Sequence, residues 1–267
     1  MQERRKRFGS LAVTTVITED DSLRIVALEG DTETALVSFS GIGQGLGSLP
    51  KEEFGKTLSG TRHWQFFVVD KRCTWYTATD ADIVRHLSPI LGRFRKVVTL
   101  GNSMGGYGAL LFASRLPNCT SAIAFVPQFS MDPRVVPKEK RWRRFTEHIE
   151  DWPQEHLLHG MPDTLPLHIF FGARERRDGP HVDLFKKLAT SGMSIYVLRG
   201  AAHDPARRLR DEGLLADTLD AIVVDDAGCG RVRALFSEKR IRYDFWSVMV
   251  QSRQRPSGVR ALLGKLF

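Results

Sequence analysis

The sequence predicts an α/β protein built on a doubly wound, mostly parallel central sheet of about eight strands. Two patterns indicate this fold class. From residue 96 onward, short continuous apolar runs alternate with stretches of helical spacing, which is typical of parallel strands covered by helices on both faces. Before that region, residues 10–18 and 24–28 predict two strands joined by a turn-rich acidic segment, which indicates an antiparallel pair. The length of 267 residues suits one large domain of this class.

The other elements follow the same patterns in chain order. Residues 33–39 and 63–70 are rich in β-branched and aromatic residues, so both are predicted strands. Residues 80–93 predict a helix because their apolar side chains fall on one face at helical spacing. The alternating region then predicts strands at 96–100, 122–126, 168–171 and 194–198, and helices at 104–116, 180–191 and 205–224.

Two segments interrupt this order. Residues 129–166 are too long for a simple connection between strands and carry aromatic, charged and proline residues, so they are predicted to form a helical lid insertion. Residues 228–267 are predicted to form a basic C-terminal extension, which leaves residues 1–227 as the α/β domain.

The net charge of +8 is concentrated at the chain ends, since residues 228–267 hold nine Lys or Arg and only two acidic residues. A nucleic-acid-binding core would be expected to carry the charge itself, so no nucleic-acid partner is predicted. Aromatic residues lie among the cations of the extension. They suit a peripheral contact with a membrane surface or a protein partner, or packing against the α/β body.

Cysteine usage and the N-terminal segment bear on the compartment. Cys73, Cys119 and Cys229 lie far apart and form neither a disulfide framework nor a zinc motif, and such sparse cysteines fit a reducing compartment. The first residues lack the apolar core of a secretory signal, and no apolar run is long enough to cross a membrane. A cytoplasmic protein is therefore expected, and no metal-binding motif is present.

The most specific motif is Gly101-Asn102-Ser103-Met104-Gly105, which matches the pattern G-x-S-x-G. It follows a predicted strand and opens a helix of small residues. Nucleophilic catalysis needs a serine at the tip of such a tight turn, where a side chain at either flanking glycine would collide with the neighbouring backbone. At these residues, and in its order of elements over about residues 10–225, the chain resembles the α/β-hydrolase superfamily.

The resemblance implies a triad in the chain order serine, acid, histidine. That order, with three further histidines inside the predicted insertion and one within a strand, leaves His181 and His203 as candidate bases. His203 follows the last strong strand and is favoured, whereas His181 begins a helix and is predicted to be a surface or cap residue. For the acid, Glu175 lies at the position usual in the family, but Asp178 is close enough to compete, so both remain candidates.

The resemblance also implies an oxyanion hole and a substrate pocket. The N–H of Met104 is predicted to be the first donor, and that of Gly41 or Ile42 the second. Asn102, Gln128 and Trp142 are candidate pocket residues. The cations near Trp142 would either hold an anionic or sugar-containing substrate or face solvent: Arg134, Lys138, Lys140, Arg141, Arg143 and Arg144.

These features predict a serine hydrolase that cleaves an ester or thioester through an acyl-enzyme intermediate. The substrate would be a small-molecule ester or acyl compound, and whether it is anionic or glycan-linked stays open. No cofactor or metal is predicted, because serine chemistry is complete without one. Two alternatives stay open: an acyltransferase that uses the same triad with a sugar or other alcohol as acceptor, and a binding or scaffold protein that keeps the fold without catalysis.

Overall fold

A computed structural model describes residues 14–43, 52–149, 152, 156–224 and 229–248 of the chain. Its nine strands are β1 (Thr14–Glu19), β2 (Leu23–Leu28), β3 (Thr34–Phe39), β4 (Trp64–Asp70), β5 (Lys96–Asn102), β6 (Cys119–Phe125), β7 (Leu167–Gly172), β8 (Met193–Leu198) and β9 (Tyr243–Ser247). Its eight helices are α1 (Gly55–Leu58), α2 (Asp80–Leu91), α3 (Met104–Ala113), α4 (Arg143–Thr146), α5 (Gly179–Lys187), α6 (Pro205–Asp211), α7 (Leu215–Val224) and α8 (Cys229–Glu238).

All nine strands join one sheet in the order β1-β2-β4-β3-β5-β6-β7-β8-β9. The six strands from β4 to β8 along this order are parallel, while β1, β2 and β9 add antiparallel pairs at the two edges. The doubly wound, mostly parallel α/β fold is therefore confirmed. Because parallel strands end at the same edge of a sheet, the segments that follow β3, β5, β6, β7 and β8 converge at one edge.

The sheet is covered on both faces, so its central strands are apolar along their whole length. Side chains alternate between the faces: Val37 and Phe39 of β3 pack into one apolar cluster, and Leu36 packs into the other. Helices α2, α3 and α5 contribute to the first cluster and helices α6, α7 and α8 to the second. Continuous apolar runs in the sequence follow directly from this burial on two faces.

Two predicted elements differ from the structure. The single helix expected over residues 205–224 is two helices, α6 and α7, because Gly213 between them has a φ of 72°, in the left-handed region that ends a helix. The sheet has nine strands rather than about eight, and the additional edge strand is β9, within the segment set apart as a basic extension.

The described part of the basic segment packs against the α/β body. Phe236 of α8 is fully buried in the second apolar cluster, and β9 pairs antiparallel with β8. Tyr243 and Phe245 pack partly buried against the same cluster. Residues 249–267, with the last four of the predicted basic side chains, lie outside the described residues.

The insertion predicted at residues 129–166 is less helical than expected. Its described residues are mostly turns, with the one-turn helix α4. Proline at positions 133, 137 and 162 removes backbone donors that a continuous helix needs. Across the part of the chain that the structure covers, no helix combines the length and apolar character needed to cross a bilayer.

Replacing Phe236 by alanine tests whether the basic segment is part of the same folding unit. We expect Phe236→Ala to lower the free energy of unfolding by about 3–5 kcal/mol, because it leaves a cavity in a closed apolar cluster. Chemical denaturation should show the loss in one cooperative transition. The control is Val224→Ala at a 55% exposed position, which should change stability by no more than about 0.5 kcal/mol. A stable Phe236→Ala variant would contradict this packing.

Candidate active site

The turn between β5 and α3 presents Ser103 in a strained conformation. Its φ of 56° and ψ of −119° lie outside the regions that side-chain-bearing residues usually adopt. The flanking glycines make the turn sterically possible. A Cβ on Gly101 would lie 2.0 Å from the carbonyl oxygen of Gly105, and a Cβ on Gly105 would lie 2.0 Å from that of Phe39. The glycines of the G-x-S-x-G motif are thus required by the close approach of three backbone segments.

Three side chains from separate loops form a continuous hydrogen-bonded line. Ser103 Oγ lies 3.1 Å from His203 Nε2, and His203 Nδ1 lies 3.0 and 2.9 Å from the two carboxylate oxygens of Asp178. These residues follow β5, β8 and β7, whose ends share one edge of the sheet. With Nδ1 facing a carboxylate, that nitrogen carries the ring proton, so the lone pair of Nε2 faces the serine hydroxyl.

The structure brings Asp178, and not Glu175, to the histidine. The side chain of Asp178 is 3% exposed, while the Glu175 carboxylate turns away and accepts hydrogen bonds from the backbone and guanidinium of Arg177. The bonds from Arg177, opposed by partial burial, lower the pKa of Glu175 to about 2. His181 is not the surface residue that its place at a helix start predicts, because its side chain is 1% exposed.

Gln128, a predicted pocket residue, contacts the serine directly. Its Nε2 donates to Ser103 Oγ at 3.1 Å, and its Oε1 accepts from Trp75 Nε1 at 3.1 Å. An indole N–H can only donate, so it fixes which end of the amide faces the serine. Ser103 Oγ therefore accepts from Gln128, and its own proton is free to point toward His203.

Trp75 belongs to a strained loop that a buried carboxylate holds together. Asp70, at the end of β4, accepts bonds from the backbone N–H of Arg72, Thr74 and Tyr76. Trp75 and Tyr76 have φ values of 54° and 61°. Tyr76 donates its hydroxyl proton to the carbonyl of Ser40 at 2.7 Å, which ties this loop to the loop after β3.

The predicted oxyanion donors lie beside the serine. Met104 is buried at the start of α3, where the first N–H groups have no partner within the helix. The loop carrying Gly41 and Ile42 passes against the turn, since a Cβ on Gly41 would lie 2.9 Å from the carbonyl oxygen of Asn102. The N–H of Gly41 donates to a carboxylate oxygen of Glu53 at 2.5 Å. A negatively charged oxygen therefore already binds one of the two candidate second donors.

A pocket of about 840 Å³ opens beside Ser103 and His203. Gly41, Ile42, Asn102 and Trp142 line it, whereas Gln128 reaches the serine from outside this lining. Within the described residues, Asn102 Oδ1 and Trp142 Nε1 are buried without a hydrogen-bond partner. The charged residues of the lining have both signs: Glu52, Glu53, Lys56, Asp204, Arg207 and Arg210.

Among the described residues, no group of three or more His, Cys, Asp or Glu side chains is placed to hold a metal ion. Three contacts at the site have no counterpart in the sequence prediction, namely those of Trp75, Glu53 and Arg141. The prediction that the insertion cations face solvent agrees with the structure for Arg143, whose side chain is 76% exposed. It is wrong for Arg141, whose side chain is 8% exposed and contacts Asp178. Its spacing in the sequence does not distinguish it from its cationic neighbours.

No family model and no curated protein matches this chain. Solved structures do match its fold. Esterase 2 of Thermogutta terrifontis, phosphonylated by sarin, is 17% identical with a TM-score of 0.56 over 84% of this chain and 97% of that one. A Pyrococcus furiosus esterase is 13% identical with a TM-score of 0.54 over 77% and 88%. The capsule O-acetyltransferase of Neisseria meningitidis serogroup A is 18% identical with a TM-score of 0.51 over 78% and 94%.

At these identities the comparison concerns the fold alone. The strand order, the helices on both faces and the strained serine turn after β5 agree with it. The chain has the α/β-hydrolase fold.

Proposed function

We propose that this protein is a serine hydrolase that cleaves an ester or thioester through an acyl-enzyme intermediate. The observation that carries the proposal is the hydrogen-bonded line from Ser103 through His203 to Asp178 at the end of a strained turn. A nucleophile within reach of a base that a third group orients is the arrangement that acyl transfer requires. The two esterases among the structural neighbours support the same reaction class.

In the first half-reaction, Ser103 Oγ attacks the acyl carbon while its proton passes to His203 Nε2. Asp178 stabilises the imidazolium that forms, and His203 then returns the proton to the departing alcohol or thiol. Water attacks the acyl-enzyme in the second half-reaction and passes a proton to His203, which returns it to Ser103 Oγ as the bond between the acyl carbon and Oγ breaks and the carboxylic acid leaves. The bond between Gln128 and Ser103 Oγ would hold the hydroxyl in place for the first transfer.

Negative charge develops on the acyl oxygen during both steps and needs N–H donors. Met104 would supply one and the loop at Gly41 and Ile42 the other. Because Gly41 donates to Glu53 in this structure, the carboxylate must leave that amide before the amide can bind the reacting oxygen. If Gly41 rather than Ile42 is the second donor, Glu53 slows acylation as long as its carboxylate occupies that amide.

The acceptor of the acyl group defines the second candidate function. An acyltransferase would use the same residues with an alcohol in place of water, and the O-acetyltransferase among the structural neighbours supports this alternative. Asn102 and Trp142, which line the pocket, would lie beside the acceptor. The ratio of hydrolysis to transfer, measured with a generic acyl ester and added sugar or glycerol, would separate the two.

The remaining proposals concern where the protein acts. The three cysteines form no disulfide with one another, which supports a reducing, cytoplasmic setting. A small-molecule ester or acyl substrate stays our proposal, with an anionic or glycan-linked form left open, as does a membrane or protein contact through residues 228–267. Adding anionic lipid vesicles to the full chain and measuring co-sedimentation would test the membrane contact.

Ser103→Ala tests the nucleophile. Turnover of a panel of acyl esters should fall by about a thousandfold or more, because the variant lacks the hydroxyl that forms the acyl-enzyme. Covalent labelling by a fluorophosphonate should be lost as well, while the thermal unfolding transition remains. Unchanged ester turnover in this variant would contradict the proposal, and a wild-type chain that is not labelled would favour the scaffold alternative.

Asp178→Asn tests which carboxylate orients the base. We expect turnover to fall on the order of 10³-fold or more, because the amide no longer favours the imidazole tautomer with its proton on Nδ1. Glu175→Gln is the matched control and should stay within about twofold, since Glu175 pairs with Arg177 instead. A larger loss in Glu175→Gln than in Asp178→Asn would reverse the assignment.

Glu53→Ala tests whether the Glu53 carboxylate blocks the N–H of Gly41. Removing the carboxylate frees the N–H of Gly41 and removes a negative charge near the developing oxyanion, so the labelling rate should rise by about three- to tenfold. Glu33→Ala, at a 76% exposed carboxylate just before β3, serves as the control and should leave the rate unchanged. A slower Glu53→Ala variant would mean that Glu53 assembles the loop rather than blocking it.

A further inference from the structure

We propose that Arg141 and Glu139 of the insertion are positioning residues that hold Asp178 against His203, so that the insertion sets the rate of the acylation step. This inference rests on the proposed function. It goes beyond the triad because neither residue belongs to the family motif or reaches the reacting atoms.

The contact is made by a buried guanidinium. Arg141 Nη1 lies 2.8 Å from Asp178 Oδ1 and 3.3 Å from His203 Nδ1. One oxygen of Asp178 is therefore shared between the arginine and the histidine, while the other, Oδ2, lies 2.9 Å from His203 Nδ1. Asp178 precedes α5 but makes no side-chain bond to the first turn of that helix. The Asp178 carboxylate is thus held by Arg141 and not by a hydrogen bond to the helix.

The arginine is itself fixed from its other side. Its Nε lies 3.0 Å from each carboxylate oxygen of Glu139, and its backbone N–H also donates to that carboxylate at 2.8 Å. The Glu139 side chain is 1% exposed. Burial opposes its ionisation, but the bonds from His181 and Arg141 outweigh burial and hold the pKa of Glu139 well below its ordinary range.

His181 completes the line as a neutral group. Its Nδ1 accepts the backbone N–H of Phe129 at 3.1 Å, so the ring proton lies on Nε2, which faces Glu139 at 3.3 Å. Phe129 is the first residue of the insertion, and His181 lies in α5, the helix that Asp178 precedes. The insertion is thereby attached to the segment that carries Asp178.

The charges explain why the glutamate is needed. An arginine alone beside Asp178 would neutralise it and remove the negative charge that stabilises the imidazolium. With Glu139 ionised, the buried group of Glu139, Arg141 and Asp178 carries one net negative charge, which protonation of His203 then balances. Glu139 therefore leaves the charge of Asp178 available to the histidine while Arg141 fixes its geometry.

The test compares Arg141→Ala and Arg141→Lys with Arg143→Gln, a control at a side chain that is 76% exposed. Inactivation by a fluorophosphonate separates the maximal rate from the probe concentration that gives half of it. For Arg141→Ala we expect the maximal rate to fall by about tenfold or more with little change in the half-saturating concentration. Added guanidinium should restore part of the rate, and Arg141→Lys should retain part because its ammonium can reach only one carboxylate.

A second measurement needs no turnover. The proton between His203 Nδ1 and Asp178 should give a far-downfield proton NMR signal in the wild-type chain, absent in Asp178→Asn. It should shift or broaden in Arg141→Ala and stay in place in Arg143→Gln. Thermal unfolding identifies variants that fail to fold, and Arg141→Lys then provides the comparison.

A folded Arg141→Ala variant with the wild-type inactivation rate and an unmoved signal would overturn the inference. So would a rate loss that neither guanidinium nor Arg141→Lys relieves, because that result indicates a purely structural role. If the wild-type chain is not labelled at Ser103, the proposed function fails first, and the position of the NMR signal still decides whether Arg141 orients Asp178.

Discussion

The arrangement of this protein depends on the close approach of three backbone segments at the serine turn. Three segments meet there: the end of β5, the start of α3 and the end of β3 with the loop that follows it. They come so close that only glycine fits at positions 101 and 105. This contact holds Ser103 at a positive φ of 56°, which side-chain-bearing residues rarely adopt. It also places the first N–H groups of α3 and the backbone of Gly41 beside the same side chain. The positions of Ser103 and of the candidate oxyanion donors are thus fixed by one packing constraint.

Around this turn, two buried carboxylates organise polar contacts that are far apart in the sequence. Asp70 closes the loop that brings Trp75 to Gln128, and through Gln128 it fixes the direction of the serine proton. Glu139 holds Arg141, and through Arg141 it acts on Asp178. Buried ionic groups are costly unless they are fully paired, so networks of this kind are expected where geometry has to be held closely. The two networks approach the serine and the acid from opposite ends of the hydrogen-bonded line.

Much of the fold and of the central line can be predicted from the sequence. Continuous apolar runs predict the strands, because a strand buried on both faces is apolar along its whole length. The glycines at 101 and 105 indicate a steric constraint within the same short turn. The position of His203 can be predicted because it follows a strand that ends at the same edge of the sheet as the serine turn. The break at Gly213 and the strand β9 are missed, since a single glycine and a short aromatic run have several structural outcomes.

The contacts that could not be predicted join residues distant in the chain. Arg141 is one of several cations in the insertion, and only its burial against Asp178 separates it from the exposed ones. The choice between Asp178 and Glu175 depends on which carboxylate the 3₁₀ turn at Arg176–Asp178 directs inward, and both lie within the same short loop. Glu53 accepts the N–H of Gly41 although the two residues are 12 positions apart in the chain. Pairings of this kind depend on tertiary packing, which has no periodic pattern in the sequence.

The most direct measurement is a crystal structure of the chain after reaction with a fluorophosphonate. We predict a phosphorus bonded to Ser103 Oγ, with its free oxygen about 3 Å from the N–H of Met104 and from an N–H of the Gly41–Ile42 loop, and with Glu53 displaced from Gly41. An adduct on another residue, or a phosphonyl oxygen turned away from both amides, would contradict the account.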